Sequence, residues 1–138
     1  MNGIIGSPAA RVSNELATVL IVDDNEVVAS TLSRMLSGAN FASRLAFRGR
    51  HAIQIARECD FEAAVVDVHL PDLNGLVVVQ RLREIFGPRV PIVVVSGDTS
   101  MEVLNSLTYV GATHFFGKPL NVSCLLHFLE VTLGGNPI

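Results

Sequence analysis

The sequence predicts a single α/β domain built on a doubly wound, five-stranded parallel sheet with helices on both faces. Five short apolar segments alternate with five segments of helical spacing, and this alternation is typical of such a three-layer arrangement. The chain has 138 residues, of which 49% are hydrophobic and 17% charged, so it can bury one core of useful size. For five strands wound in this way the common strand order is 2-1-3-4-5.

Three of the predicted strands are continuously apolar. Residues 18–23, 62–67 and 90–96 are rich in valine and isoleucine, which indicates strands covered on both faces, and we expect these three at the centre of the sheet. The other two strands are predicted at residues 41–46 and 113–116.

A segment of helical spacing follows each strand. The predicted helices cover residues 26–37, 50–59, 75–86, 99–110 and 120–133. The first places Val28, Leu32, Met35 and Leu36 on one face, and Gly38 is predicted to end it.

The predicted domain covers residues 18–133. Residues 1–17 contain glycine and proline without periodicity and predict a flexible N-terminal lead, and residues 134–138 predict a frayed C-terminal tail. No segment approaches the roughly 18 apolar residues of a membrane span, and the start of the chain lacks the pattern of a secretory signal. We therefore expect a cytoplasmic protein.

The charged and metal-binding residue types exclude several classes of function. A net charge of −3 without a basic cluster argues against direct binding of nucleic acid, and favours a protein as partner. Cys59 and Cys124 stand singly in apolar segments, which predicts free buried thiols rather than a disulfide or a zinc site. His51, His114 and His127 lack partners at metal-site spacing and are predicted to be surface or packed residues.

Three aspartates are predicted to meet at one edge of the sheet. Asp23 and Asp24 end the first strand and Asp67 ends the third, at the point where a doubly wound sheet binds its ligands. Two unit charges about 4 Å apart repel by roughly 4 kcal/mol near a protein surface, so the cluster needs compensation. Either one carboxyl has a raised pKa and forms an acid/base pair, or a divalent cation such as Mg²⁺ binds. A simpler alternative is that Asp23 and Asp24 cap the following helix.

Two further residues are expected at the same edge. Ser96 ends the fourth strand and Lys118 follows the fifth. A metal ion, a lysine and a hydroxyl group around a carboxylate suit phosphoryl transfer, in which catalysis is mostly positioning and charge neutralisation. Asp67, a lone aspartate between Val66 and Val68, is the predicted nucleophile.

Four motifs resemble the receiver (REC) domain of two-component response regulators, including the chemotaxis regulators. They are LIVDDN at residues 20–25, VVDVHLPDLNG at 65–75, VVVSG at 93–97 and GATHFFGKP at 111–119. The resemblance spans residues 18–133 and implies a flavodoxin-like fold.

The resemblance implies that Asp67 accepts a phosphoryl group from a phosphohistidine of a partner histidine kinase or histidine phosphotransfer protein. Mg²⁺, or Mn²⁺ in its place, is then held by Asp24 and Asp67, by Asp23 mainly through water, and by the backbone carbonyl of His69. The chain is implied to catalyse its own phosphorylation and dephosphorylation, and not to be an enzyme that turns over an external substrate.

The resemblance also implies a switch. Ser96 turns inward to the phosphoryl oxygens, Lys118 pairs with them, and Phe115 follows inward at a position where many relatives have tyrosine. The bond from Lys118 to Pro119 is expected to be cis. Phe115 has no hydroxyl group, so it signals only through burial and packing.

Phosphorylation is implied to shift the face formed by the fourth helix, the fifth strand and the fifth helix. The apolar row of the fifth helix is explained by burial on the sheet, and also favours a homodimer or a downstream protein or output domain on that face. His69 and Asp98 occupy positions that influence how fast relatives lose the phosphoryl group, although His69 can equally be a solvated loop residue.

The sequence also bears on three other functions. A hydrolase with an aspartyl-phosphate intermediate is disfavoured, because His69 stands where the DxDx(T/V) signature requires a second aspartate. A receiver-like protein-interaction module that works without phosphorylation is the remaining alternative, although Asp67, Ser96 and Lys118 are intact. A nucleotide-binding domain is disfavoured because neither GxGxxG nor GxxxxGK(S/T) follows the first strand.

Overall fold

The structure, a computed structural model, describes residues 16–134, which form five strands and five helices in strict alternation. The strands are β1 (Ala17–Val22), β2 (Phe41–Ala46), β3 (Ala63–Asp67), β4 (Ile92–Ser96) and β5 (His114–Gly117). The helices are α1 (Glu26–Gly38), α2 (Gly49–Glu58), α3 (Gly75–Phe86), α4 (Met101–Val110) and α5 (Val122–Thr132). No end differs from its predicted position by more than two residues.

All five strands are parallel and lie in the order β2-β1-β3-β4-β5, which confirms the predicted flavodoxin-like sheet. Every residue of β3 and β4 is buried, and so are the last four residues of β1. The strands at the two edges, β2 and β5, are more exposed. The prediction of three central strands is therefore confirmed.

The sheet separates two hydrophobic cores. Residues of α2 and α3 pack on one face together with parts of α4, and residues of α1 and α5 pack on the other. Unlike the other helices, α4 has no fully buried residue, and only one of its sides contacts the core. It is therefore the least embedded of the five helices.

The apolar face of α1 is narrower than predicted. Its buried residues are Ala29, Leu32 and Leu36. Val28 and Met35, which were predicted to share one face with Leu32 and Leu36, are 46% and 44% exposed. The helix ends at Gly38, as predicted, but the left-handed conformation after α1 falls on Asn40, with φ 68°. Asparagine tolerates that conformation better than most residues, and it takes the place expected for glycine.

Two predictions concern chain ends that are only partly described. Residues 1–15 and 135–138, which hold most of the predicted lead and tail, lie outside the described residues. Ala17, assigned to the lead, is the first residue of β1. Within residues 16–134 no helix combines the length and apolar character needed to cross a bilayer.

The cysteine prediction is half right. Cys59 and Cys124 are free thiols, but Cys59 is only partly buried and Cys124 is exposed on α5. His51, His114 and His127 were predicted to be surface or packed residues, and all three are exposed. The ring of His114 also stacks on Phe128, with centroids 4.8 Å apart.

Arg83 joins the end of α3 to the neighbouring connections. Its Nη1 atom donates to the carbonyl oxygens of Gly87 and Val90, each at 2.7 Å. Nη2 donates to the carbonyl oxygen of Gly111 at 2.8 Å and to Oγ1 of Thr113 at 3.3 Å. Burial lowers the pKa of Arg83 from its usual value. These bonds hold the end of α4 and the start of β5 against α3.

Candidate functional site

Three aspartates converge at the carboxyl ends of β1 and β3. Asp23 and Asp24 follow β1, and Asp67 is the last residue of the adjacent β3. A carboxylate oxygen from each lies within 4.8 Å of the others, which confirms the predicted cluster. Asp67 is only 4% exposed, Asp23 is half-buried and Asp24 is exposed.

The capping alternative for these aspartates is wrong. The residue that caps α1 is Asn25, whose side-chain oxygen accepts the N–H of Val28 at 3.1 Å. Asp23 supports that cap by accepting the N–H of Asn25 at 2.9 Å, while its own N–H donates to the carbonyl oxygen of Ala46 on β2. Neither Asp23 nor Asp24 is therefore the N-cap of α1, and both lie next to a helix that Asn25 already caps.

The cluster has an excess of negative charge. Burial raises the pKa of Asp23, and the charge of Asp67 raises it further against the N–H of Asn25, which lowers it. The sequence left open two ways to offset this charge: a raised pKa on one carboxyl group, or a bound divalent cation. The raised pKa of Asp23 fits the first. The cluster also fits the second, because it consists of carboxylate oxygens, the ligand type that Mg²⁺ prefers.

Lys118 supplies positive charge from the end of β5, which lies beyond β4 in the sheet. Its Nζ atom donates to Oδ2 of Asp67 at 2.9 Å, and this is the only ion pair found within residues 16–134. Burial lowers the pKa of Lys118, but its bond with Asp67 and the charges of Asp67, Asp23 and Asp24 outweigh that and raise it. The peptide bond to Pro119 is cis, as the resemblance implied.

The second oxygen of Asp67 is held by the chain that follows it. Oδ1 accepts the N–H of His69 at 3.0 Å, while the side chain of His69 is exposed. Behind the carboxylate, a Cβ atom at Gly75 would lie 2.3 Å from the carbonyl oxygen of Asp67 and 2.5 Å from Cα of Val68. No other residue fits without moving the backbone of Asp67. Gly75 was seen in the sequence only as the start of a helix.

Ser96, one of the two predicted switch residues, begins a chain of hydrogen bonds that leads to α4. Ser96 is fully buried, and its hydroxyl oxygen accepts the N–H of Asp98 at 2.9 Å. Asp98 in turn accepts the N–H of Ser100 at 2.9 Å, which lowers the pKa of Asp98, and Ser100 caps α4. Ser96 makes no hydrogen bond with Asp67 in this structure, whereas the half-buried Phe115 packs against the core beneath α4.

Asp72 has a structural role near the site that the sequence reasoning missed. Its two carboxylate oxygens accept the N–H groups of Gly49 at 2.8 Å and Arg50 at 2.9 Å, at the start of α2. Arg48, the N-cap residue of α2, provides no side-chain cap. The N–H of Arg50 is the main cause of a lowered pKa at Asp72. Asp72 thus connects the loop after Asp67 to α2. In the sequence, the only indication of this role was the presence of an acidic residue inside the VVDVHLPDLNG motif.

The aspartates open into a cleft of about 580 Å³. One part of its lining is polar and includes Asp24, Asp67 and Lys118. The other part is the apolar edge of α1, where Val27 and Met35 are exposed. The site therefore combines a charged floor with an apolar wall.

Comparisons with known proteins agree with this fold. The family model of the response regulator receiver domain matches residues 19–130. The sensory/regulatory protein RpfC of Xanthomonas campestris is 32% identical over 114 residues, which cover 80% of this chain and 16% of RpfC. The chain spans only 15–16% of the length of the curated relatives it matches first.

Two solved structures are similar in both fold and sequence. The chemotaxis protein CheY4 of Vibrio cholerae has a TM-score of 0.78 and 31% identity, covering 83% of this chain and 97% of that chain. A response regulator of Burkholderia pseudomallei, crystallised with a phosphorylated aspartic acid, a calcium ion and citrate, has a TM-score of 0.77 and 32% identity. That match covers 86% of this chain and 69% of the other.

Proposed function

Because the chain belongs to the receiver domain family of response regulators, we propose that it is the phosphoacceptor switch of a two-component phosphorelay, with Asp67 as the acceptor. The family makes the chain a signalling module. The observation that carries the choice of residue is the environment of Asp67: a nearly buried carboxylate that pairs with Lys118 at 2.9 Å beside two further carboxylates.

The proposed reaction moves one phosphoryl group between two side chains. The phosphorus–nitrogen bond of a phosphohistidine breaks, a phosphorus–oxygen bond to Asp67 forms, and the histidine leaves with its nitrogen electron pair, which then takes up a proton. Lys118 is already within bonding distance of Asp67 and pairs with the arriving phosphoryl oxygens. The hydroxyl of Ser96 leaves Asp98 and turns to the same oxygens. Hydrolysis of the product by the same site would end the signal.

Mg²⁺ or Mn²⁺ is the proposed cofactor. Asp24, Asp67 and the carbonyl oxygen of His69 would hold it, and Asp23 would do so mainly through water. The ion would supply positive charge to offset the carboxylates and the transferred phosphoryl group. The raised pKa of Asp23, caused by burial and by the charge of Asp67, supports a site that is better satisfied with a cation than without one.

The proposed donor is a histidine kinase or a histidine phosphotransfer protein, in the cytoplasm. The wall of the cleft supports a protein donor, because Val27, Val28 and Met35 of α1 expose apolar surface in the cleft that Asp67 also lines. A small-molecule donor has no need of that surface.

The proposed output is a shift of the face formed by α4, β5 and α5. The bonds from Ser96 through Asp98 to Ser100 connect the acceptor edge to a helix without fully buried residues, and Tyr109 on that helix is 90% exposed. A downstream protein, an output domain or a second copy of the chain would bind there, with Phe115 adjusting the packing beneath. Sedimentation with and without beryllium fluoride tests the homodimer: a monomer at all concentrations in both states contradicts it.

The central test is phosphorylation in solution. We expect wild-type protein incubated with acetyl phosphate and Mg²⁺ to gain the mass of one phosphoryl group. Asp67→Ala should gain nothing, whereas Asp60→Ala, which removes an exposed carboxylate away from the cluster, should behave as wild type. A wild-type chain that binds Mg²⁺ but stays unmodified, also with a phosphohistidine donor, would favour the phosphorylation-independent interaction module instead.

A further inference from the structure

A basic groove lies between α2 and α3, on the opposite side of α3 from α4. Six residues line it: Arg50, Ile53 and Arg57 of α2, and Leu73, Val77 and Arg81 at the start of α3 and along it. We call it the α2–α3 groove. Its volume is about 430 Å³, and it shares no residue with the cleft around Asp67.

The groove follows from the spacing of its residues along two adjacent helices. Arg50, Ile53 and Arg57 recur at i, i+3 and i+7, so they form one stripe along α2. Leu73, Val77 and Arg81 recur every fourth residue, which brings Val77 and Arg81 to the facing side of α3. The result is an apolar floor with a cation at each end of one wall and a third on the other.

The three arginines have no acidic partner among the residues that the structure describes. Across residues 16–134, none of Arg50, Arg57 and Arg81 forms an ion pair, and all three are exposed. Asp72, the acidic residue of the adjoining loop, already accepts two backbone N–H groups at the start of α2. The positive charge of the groove is therefore available to a partner, although the whole chain has a net charge of −3.

The floor of the groove is apolar and partly open. Val77 is 40% exposed, and Ile53 and Leu73 are half-buried. Single exposed apolar side chains are common, but here three adjoin one another between guanidinium groups that bind carboxylates well. An inorganic anion would leave this apolar surface uncovered, and the lining of the groove has no aromatic side chain on which the bases of a nucleic acid could stack.

We propose that the α2–α3 groove docks an acidic amphipathic helix of a partner protein. Leucine-like side chains would cover Ile53, Leu73 and Val77, while carboxylates would pair with Arg57 and with Arg50, about 10 Å away along α2 at 1.5 Å per residue. Two carboxylates two turns apart on the partner helix match that separation. This surface is independent of Asp67 and is present in the unmodified protein.

The test is a nuclear magnetic resonance titration of the unmodified full chain. The probe is a helical peptide of about 15 residues, long enough to be partly helical alone, with leucines at i, i+3 and i+4 spacing flanked by glutamates. A second peptide has lysines in place of the glutamates. We expect the acidic peptide to shift amide signals of α2 and α3, to bind at least tenfold more tightly than the basic one, and to weaken as salt is raised.

Charge reversal locates the site. Arg57→Glu with Arg81→Glu should weaken the acidic peptide at least tenfold, and Val77→Ser should weaken it without changing the salt dependence. The matched control is Arg34→Glu, an exposed arginine on α1 that lines none of the described cavities. All these positions are exposed, and Arg57→Gln with Arg81→Gln serves if the reversed variant does not fold.

Four results with the peptides would overturn the proposal. They are no binding of the acidic peptide, equal binding of both peptides, shifts that map outside α2 and α3, or binding that survives charge reversal. Tighter binding of single-stranded polythymidine than of the acidic peptide to the same arginines would also overturn it, because the groove would then be a nucleic-acid site.

Discussion

Nζ of Lys118 lies 2.9 Å from Oδ2 of Asp67, although the two residues are 51 positions apart and β4 separates their strands. The ammonium group crosses the carboxyl edge of β4 to reach the carboxylate. Lys118 is also the only lysine in the chain. Of the residues that line the cleft, Lys118 is the only lysine or arginine.

Lys118→Met should slow phosphorylation of Asp67 by acetyl phosphate tenfold or more, equivalent to about 1.4 kcal/mol or more in the barrier. The reason is that the variant leaves the approaching anion opposite the carboxylates without the ammonium group. The rate of mass gain at fixed Mg²⁺ measures the effect. Arg34→Met is the charge-matched control, and equal rates in both variants would remove Lys118 from the proposed mechanism.

Gly75→Ala should lower the free energy of unfolding by roughly 3 kcal/mol, because the added Cβ would overlap the backbone of Asp67 and Val68. Gly38→Ala is the matched control: nothing lies within 4 Å of its added Cβ, and alanine should stabilise the helix end by about 0.5–1 kcal/mol. Urea unfolding of both variants checks the contrast. A neutral Gly75→Ala would mean that the loop behind Asp67 adapts easily.

Asp72→Asn should lower the unfolding midpoint at neutral pH, because it removes the charge that accepts two N–H groups of α2. The folded pKa of Asp72 is lowered below 3.8, so its stabilisation is present above that value and is lost as pH falls through the folded pKa. The difference between wild type and variant should therefore shrink in acid. Unfolding at several pH values, with Asp60→Asn as control, measures it; a constant difference would contradict the linkage.

Arg83→Met should destabilise the domain by about 2 kcal/mol, because it leaves carbonyl groups of Gly87, Val90 and Gly111 without their donor. Hydrogen exchange should increase most at the end of α4 and the start of β5, which Arg83 connects to α3. Arg89→Met, at an exposed position in the next loop, should change neither quantity. Uniform exchange across the sheet would instead indicate a general loss of stability.

Replacing His69 or Asp98 should change the lifetime of phosphorylated Asp67 without preventing its formation. Both side chains are exposed at the carboxyl edge, and the charge of His69 contributes to the lowered pKa of Asp98, after the hydrogen bonds from Ser100. Decay of the phosphorylated mass in His69→Ala and Asp98→Ala is the measurement. Unchanged lifetimes in both would leave His69 as a solvated loop residue.

Much of the fold could be predicted because local patterns carry it. The apolar runs of β1, β3 and β4 are buried from both sides, so their sequences contain few polar residues to confuse the assignment. Since each of these strands ends at the same edge, the aspartates after β1 and at the end of β3 had to approach one another once the strand order was known.

The residues that the sequence assigned wrongly or missed depend on neighbours distant in the chain. Val28 and Met35 fit a helical row, yet they are exposed because the sheet and α5 cover only the stripe of Ala29, Leu32 and Leu36. The bond of Asp72 with the N–H of Arg50 in α2 joins residues 22 positions apart. The bond of Arg83 with the carbonyl oxygen of Gly111 after α4 joins residues 28 positions apart. Such contacts leave no periodic signal.

The sequence by itself determined the alternation of strands and helices, the convergence of the three aspartates and the approach of Lys118, since all of these follow from where apolar runs end. Only the tertiary structure decided that Gly75 lies against the backbone of Asp67, and that three arginines without an ion pair among residues 16–134 line an apolar groove. The physical reason is the separation along the chain of the residues involved. Burial and periodicity can be inferred from residues that are neighbours in sequence, whereas close approach and charge pairing arise only when segments distant in sequence pack together.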